Sequence, residues 1–405
     1  MKPYVKSHAR FVAFAIGLLS VSTMAWASSE NVLHTFAYTD GAQPGNGVIF
    51  DAAGNLYGTA STGGSTSCGG YGCGVVFKLT PGADGEWKES TIYAFTGGDD
   101  GYYPGSPLIF DAAGNLFGTA YAGGGSGNGT VFKLTPSANG SWKFSILHTF
   151  AGGSDGSGPL GSLLFDSSGN LYGTTFVGGS YDSGTAFELS PSESDEWKET
   201  LLHTFTGGLD GVDPFRLVMD AKGTIYGSAA SGDCACGVVY LLAPAEGNSW
   251  KETVLRRFSG ELDGSIPYGL TFDSSGNLYG TASGGNTLRC AGGCGLVFRL
   301  VPNSSGPWKE TVLHYFNGED GLGAGGLIFG GAGNLYGWAG PSYGQGLIFS
   351  MSADDDWAEI PVLQFNGDGG YSPDGPIILN HTGHLFGTTV LGGEYGAGVV
   401  YEVTP

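Results

Sequence analysis

The chain has 405 residues, with 77 Gly, 13% aromatic and 13% charged residues, and 37 Asp and Glu against 16 Lys and Arg give a formal charge of −21. Such a surface repels phosphate backbones and anionic bilayers, which argues against nucleic acid and membrane surfaces as partners. Its glycine content alone would suggest disorder, but aromatic residues at regular intervals indicate short aromatic strands joined by Gly-rich turns, an all-β chain.

The first segment, residues 1–27, reads as a signal peptide. Lys2, Lys6 and Arg10 precede an uncharged apolar run over 11–27 that ends Ala25-Trp26-Ala27, the small-x-small pattern of a cleavage site. About 17 apolar residues are marginal for a membrane span, and no later segment is long enough to cross. Cleavage before Ser28 removes three positive charges and no negative ones, leaving 13 − 37 = −24. The expected product, 28–405, is an exported, soluble, monomeric protein, secreted or periplasmic, and a single domain.

That domain opens on VLHTF at 32–36, which has the pattern of a strand end with no unit before it. A repeat follows. FDAAGNLYGTA at 50–60 returns as FDAAGNLFGTA at 110–120, and the NLYG signal stands at 55, 115, 170, 277 and 334, with weaker forms TIYG at 224 and HLFG at 384. Seven units result, with steps of 60, 55, 54, 53, 57 and 50 residues. A second phrase follows each: GVVFKL at 74, GTVFKL at 129, GTAFEL at 184, GVVYLL at 237, GLVFRL at 295, GLIFSM at 346 and GVVYEV at 398. A third is Trp-led, such as WKETLLHTF at 197–205.

Each unit therefore predicts four short antiparallel strands, with no sustained helical period. A four-stranded sheet with two apolar faces cannot cover both alone, and stacking seven of them around an axis does. The chain closes on GVVYEVTP, a third strand with no fourth after it. The opening strand at 32–37 supplies what the last unit lacks, so the sequence predicts a seven-bladed β-propeller closed by its N-terminal strand.

The FDxxGNLYGT and GVVFKLTP phrases resemble the Gloeo/Verruco tandem repeat of exported bacterial proteins, over nearly all of 28–405. The resemblance implies export and a C-terminal sorting anchor, of which this sequence shows none, and it implies no catalytic residues.

Several residue sets could carry chemistry. Asp-Gly recurs before each first strand, at Asp40, Asp100, Asp155, Asp210, Asp263, Asp320 and Asp368. A ring of carboxylates suits a hard cation such as Ca²⁺, but presence in all seven units favours turn-capping by the Asp side chain. His34, His148, His203 and His314 share one register of the fourth strand, with Tyr93, Arg256 and Gln364 elsewhere, which indicates a half-exposed surface. His381 and His384 occupy one tight turn without a visible third ligand, so no metal-ligand set is assigned. Six cysteines in an exported chain predict disulfides. Cys68 and Cys73 pair locally, while Cys234 and Cys236 either pair together or bridge to Cys290 and Cys294.

Departures from the repeat are where a site would hide. Before the first strands stand Asp213, Phe215 and Arg216 in unit four, Tyr268 in unit five and Asp374 in unit seven. Trp338 replaces Thr of the LYGT phrase in unit six, and Arg289 adjoins Cys290. One Arg, two Asp and several aromatics around one mouth suit a sugar or other small polar ligand, and a protein partner is the alternative. No nucleophile elbow, zincin helix or phosphate loop is present. The function expected is a binding scaffold, with a glycan or lactone lyase or hydrolase and a purely structural surface protein as rivals.

Overall fold

The computed structural model describes residues 29–192, 196–230, 236–285, 290, 293–303, 306–340 and 345–405. Seven antiparallel sheets follow one another, each with four strand positions and consecutive strands side by side. In the second sheet the first position is split into Tyr102–Pro104 and Ile109–Phe110, both paired with Leu116–Ala122. The seventh sheet is completed from the other end of the chain: Ser29–Thr35 pairs with Val399–Thr404, with Ser29 opposite Thr404 and Thr35 opposite Val399. The opening strand is the latch that the sequence predicts.

Among the described residues seven apolar clusters lie between the sheets, one per joint, whereas an open row of seven would have six. The closing cluster joins Leu33, Phe36 and Val400 of the last blade to Val48, Leu56 and Phe77 of the first. The array is therefore a closed seven-bladed propeller. First strands of neighbouring blades touch one another around the axis, and fourth strands form the outside.

The repeated phrases each solve a local problem. In FDAAGNLYGT, Asp51 Oδ1 accepts from the N–H groups of Ala53 and Asn55 at 2.9 Å each, and Oδ2 accepts from Tyr57 OH at 3.0 Å. The Asp thus caps the hairpin turn. The glycine of LYGT is needed for close approach: a Cβ on Gly58 would stand 2.5 Å from Phe77 Cζ, and the corresponding aromatic of the third strand crosses the corresponding glycine in every blade.

The fourth strands carry a β-bulge at one place in every blade, between Val32 and His34 in the closing strand and between Leu201 and His203 in the third. The extra residue in each is aliphatic: Leu33, Ile92, Leu147, Leu202, Leu255, Leu313 and Val362. All seven enter the cluster between their own blade and the next. A bulge places two consecutive residues against one partner and so supplies an apolar side chain that strict alternation would send elsewhere.

Disulfides Cys68–Cys73 and Cys290–Cys294 tie loops within blades one and five. The cross-blade alternative for Cys290 and Cys294 is thereby corrected: their Cα atoms are 5.4 Å apart, which suits a bridge between them. Cys236 is also disulfide-bonded, Cys234 lies outside the described residues, and among the described residues no cysteine is free. No described helix is long and apolar enough to cross a membrane.

Candidate functional site

One loop per joint runs from the fourth strand of a blade to the first strand of the next, and its outer and inner ends do different things. At the outer end the Asp-Gly acids cap turns. Asp40 accepts from Ala37 N–H at 2.8 Å and contacts His34 Nε2 at 3.0 Å. Asp100 accepts from Thr96 N–H and Tyr93 OH, and Asp320 from Asn317 N–H, with His314 Nε2 at 3.1 Å. Burial alone would raise Asp40 and Asp320, but these bonds and the neighbouring histidines hold both below the usual carboxylate range. The histidines are Asp partners tucked against the bulge rather than a freely drifting surface.

The sequence reading needs correction in one joint. The bulge lies between Pro361 and Leu363, so Leu363, not Gln364, occupies the histidine register in blade six. The loop after it is offset as well. Gly370 takes the place of the glycine that elsewhere follows Asp, leaving Gly369 where the acid would stand and Asp368 outside the pattern. A Cβ on Gly369 would fall within 2.2 Å of the Glu30 carboxylate, which fills that space.

Glutamates in the fourth strand of the following blade approach these outer ends. Arg256 Nη2 lies 2.7 Å from Asp263 and 2.6 Å from Glu310 of the next blade. Where the register residue is Tyr93, the next blade places Phe144 instead, and the rings stack at 4.2 Å. Glu30 faces no counter-charge among the described residues; its Oε1 is buried without a partner, and burial pushes its pKa up to about 7.

The inner end of the loop is built on proline. Six of the seven loops contain Pro (44, 104, 159, 214, 267 and 373), with Ala324 in the seventh. The residue before it has positive φ in every blade, including Gln43 (57°), Asp213 (52°) and Ile266 (47°). L residues rarely adopt this conformation, a β-branched one least of all. Each is held by donating its N–H to the preceding blade: Gln43 to Ala397 O at 2.8 Å, Tyr103 to Cys73 O at 3.0 Å, Asp213 to Ser183 O at 3.1 Å. The Pro ring then lies on the glycine that opens the preceding blade's third strand. A Cβ on Gly184 would meet Pro214 Cδ at 2.4 Å.

In the six blades that carry this Pro, one or both of the residues after it line a cavity of about 160 Å³ at the axis. Blades one, two and three contribute Gly45, Asn46, Gly105, Leu160 and Gly161; blades four, five and seven contribute Phe215, Arg216, Tyr268 and Asp374. Four of the sequence candidates thus meet at one mouth. Arg216 Nε donates to Tyr268 OH at 3.3 Å, its guanidinium lies 5.3 Å from the Tyr268 ring centroid, and Phe215 packs edge-on to that ring at 5.8 Å. Asp374 accepts from Gly375 N–H at 2.7 Å. Burial raises its pKa, partly offset by that bond and by the Arg216 charge. Arg216 and Asp374 share the cavity with no ion pair between them among the described residues.

Two candidates are not brought there. Asp213 is the strained residue itself, and burial and Asp182 both raise its pKa. Trp338 does the work of the Thr it replaces: Thr119 donates to Pro159 O of the next blade at 2.8 Å, and Trp338 Nε1 donates to Gly375 O at 2.8 Å. Its ring covers Gly325 and Gly326, neither of which has room for a Cβ. His384 Nδ1 is spent on Glu402 at 2.6 Å, so the two-histidine turn converges on no common ligand. Arg289 lies outside the described residues. Sequence reasoning missed Asn46 and Leu160; the signal for both was the recurring x-Pro dipeptide. A larger groove of about 790 Å³, between Tyr38, Gln43, Tyr71 and Tyr103, has no charged residue in its lining.

The model of the Gloeobacter/Verrucomicrobia repeat matches residues 20–235 and 137–338. The chain belongs to this repeat family. Among solved structures it is similar to a luciferin-regenerating enzyme (14% identity, TM-score 0.49, covering 76% of this chain and 92% of that one). It is also similar to a protein of unknown function from Dyadobacter fermentans (10%, 0.48, 92% and 96%) and to a gluconolactonase candidate (12%, 0.43, 93% and 92%). No curated protein matches significantly. Each matched segment runs over several blades, and the propeller rests on the strand order and closure of this chain itself.

Proposed function

We propose that this repeat protein is an exported binding scaffold that takes a small polar ligand, a sugar or sugar acid, at the channel mouth. The observation that carries the reading is the placement of Arg216 and Asp374 on one cavity beside the Phe215 and Tyr268 rings, without bonding each other. Each keeps hydrogen-bonding capacity for a third group, and the rings supply an apolar wall. The cavity is below the roughly 300–1,000 Å³ of drug-sized sites, which favours one ring or one carboxylate over an extended chain. The uncharged neighbours at the mouth leave a single polar sector, as oriented binding of a small ligand requires.

The second reading is a hydrolase or lyase acting on glycans or lactones, and Asp374 supports it. A buried carboxyl raised above its usual range can pass a proton, with Arg216 placed to hold developing negative charge. Thermal-shift screening of monosaccharides, sugar acids and lactones against wild type, Arg216→Ala and Asp374→Asn tests both. A stabilising ligand lost in Arg216→Ala, with no product formed, supports the scaffold. Product formation lost in Asp374→Asn establishes the enzyme instead. Shifts that persist in both variants, or no shift with any compound, would remove the mouth as a site and leave a structural surface protein.

A further inference from the structure

The outer end of the joint between blades two and three differs from its sisters in a way that assigns it a ligand. His148 follows the bulge of the second blade's fourth strand, Asp155 sits in the loop after it, and Glu199 comes from the fourth strand of blade three. One donor atom from each lies within 4.8 Å of the others, the only such His, Cys, Asp and Glu group among the described residues. His148 Nε2 is 3.3 Å from Asp155 Oδ1 and 3.9 Å from Glu199 Oε2.

In the sister joints the imidazole is spent on the acid: His34, His203 and His314 hydrogen-bond Asp through Nε2 at 3.0, 3.2 and 3.1 Å. His148 Nε2 and Glu199 Oε1 are buried atoms without a hydrogen-bond partner; the orphaned glutamate oxygen recurs at Glu252, Glu310 and Glu359, so the orphaned imidazole nitrogen is what sets this joint apart. A buried polar atom left unpaired costs about 1–3 kcal/mol, so the imidazole nitrogen, which the sister joints satisfy, needs an explanation. The joint between blades four and five shows what the place is built for. There the Arg256 guanidinium lies between Asp263 and Glu310, a cation held by the same two acids.

We propose that His148, Asp155 and Glu199 bind a divalent transition metal of the zinc class, which staples blade two to blade three. A tetrahedral ion about 2.0–2.2 Å from imidazole nitrogen and carboxylate oxygen holds its ligands roughly 3.4 Å apart, close to the spacing found. Calcium needs six to eight oxygens, and magnesium prefers oxygen ligands in an octahedron, so an imidazole with two carboxylates selects against both. Two carboxylates, a neutral imidazole and a dication sum to zero charge, which suits a half-buried joint. The first sphere is also held from behind. Ala151 N–H donates to Asp155 Oδ2 at 2.5 Å, leaving Oδ1 to face His148, and the imidazole packs edge-on to Phe150 at 4.7 Å.

Calorimetric titration of the full, chelator-treated chain with Zn²⁺ tests the assignment, with Co²⁺ absorption in the visible as a second readout. One equivalent should bind, raise the melting temperature by several degrees, and give Co²⁺ bands of a low-coordinate site. Glu199→Gln, which keeps shape and should fold, is expected to weaken binding at least tenfold, and His148→Ala to abolish it. His203→Ala, at a sister joint, should bind as wild type does. No zinc binding by the wild type, zinc binding unchanged in Glu199→Gln, or a Ca²⁺ response equal to that of Zn²⁺ would overturn the proposal. Loss of binding in His203→Ala would overturn it equally.

Discussion

The outer and inner ends of the same seven loops make the most informative contrast in this molecule. At the outer ends, six acids repeat and accept hydrogen bonds from the same loop or the strand before it. At the inner ends the backbone repeats even more strictly, through x-Pro and positive φ, while the side chains after it range from Gly to Arg. Repetition with closed hydrogen bonding marks a part that every blade needs in order to stand. Divergence on a repeated backbone marks side chains that the repeat itself does not require, and the proposed ligand site is made of them. Arg216 and Asp374 belong to the second group; Asp263 and Arg256 belong to the first.

Four experiments press on this contrast. Removing residues 28–37 takes away the buried Leu33 and Phe36 and bares the third strand of the last blade. At about 5–10 kcal/mol for two large core side chains, the melting temperature should fall by roughly 10 °C or more in calorimetry, with aggregation. An unchanged melting temperature would reject the strand latch. The joint device is tested next by Gly184→Ala, whose Cβ would meet Pro214 at 2.4 Å with φ at +93°. A loss of about 2–4 kcal/mol in urea unfolding is expected; less than about 1 would show that the x-Pro contact is dispensable.

The sharpest comparison sets Arg256→Ala beside Arg216→Ala. The first leaves Asp263 and the largely buried Glu310 without their cation and should cost about 2 kcal/mol. The second removes a single hydrogen bond and a ring contact and should cost under about 1 kcal/mol. Equal losses in chemical denaturation would erase the division between rim and mouth. The last experiment concerns Glu30. Its folded pKa of about 7 stands above the ordinary 4.5, so the folded state binds the extra proton. The associated stability is complete below about pH 4.5 and is lost as pH rises through 7. Glu30→Gln should therefore match wild type at pH 5 and exceed it at pH 8 by about 1 kcal/mol, allowing for solvent screening. Identical pH profiles would show that Glu30 ionises freely.

Much of this was legible because each repeated phrase answers a short-range need. The capped Asp-x-x-Gly-Asn turn, the glycine under an aromatic ring and the strand missing from one end but present at the other can all be read within a few residues. Local cysteine spacing likewise anticipated Cys68–Cys73. Leu363 was legible as well, since the register residue stands two positions before a phenylalanine in every blade and Phe365 points to Leu363 rather than Gln364. Phe215, Arg216, Tyr268 and Asp374 could be picked out as departures. That they share one mouth while Asp213 and Trp338 do not depends on φ at one residue and on which hydrogen bond an indole makes.

The amino-acid order alone determined seven sheets and their closure, because burial of two apolar faces per sheet admits few other answers and the periodic pattern states the problem seven times. Only the assembled ring decided which polar groups would meet. His148 and Glu199 are brought together by blade packing, and Arg216 and Asp374 by convergence on the axis. Contacts of that kind depend on rotamer, bulge and joint geometry, which no short-range pattern in the chain encodes.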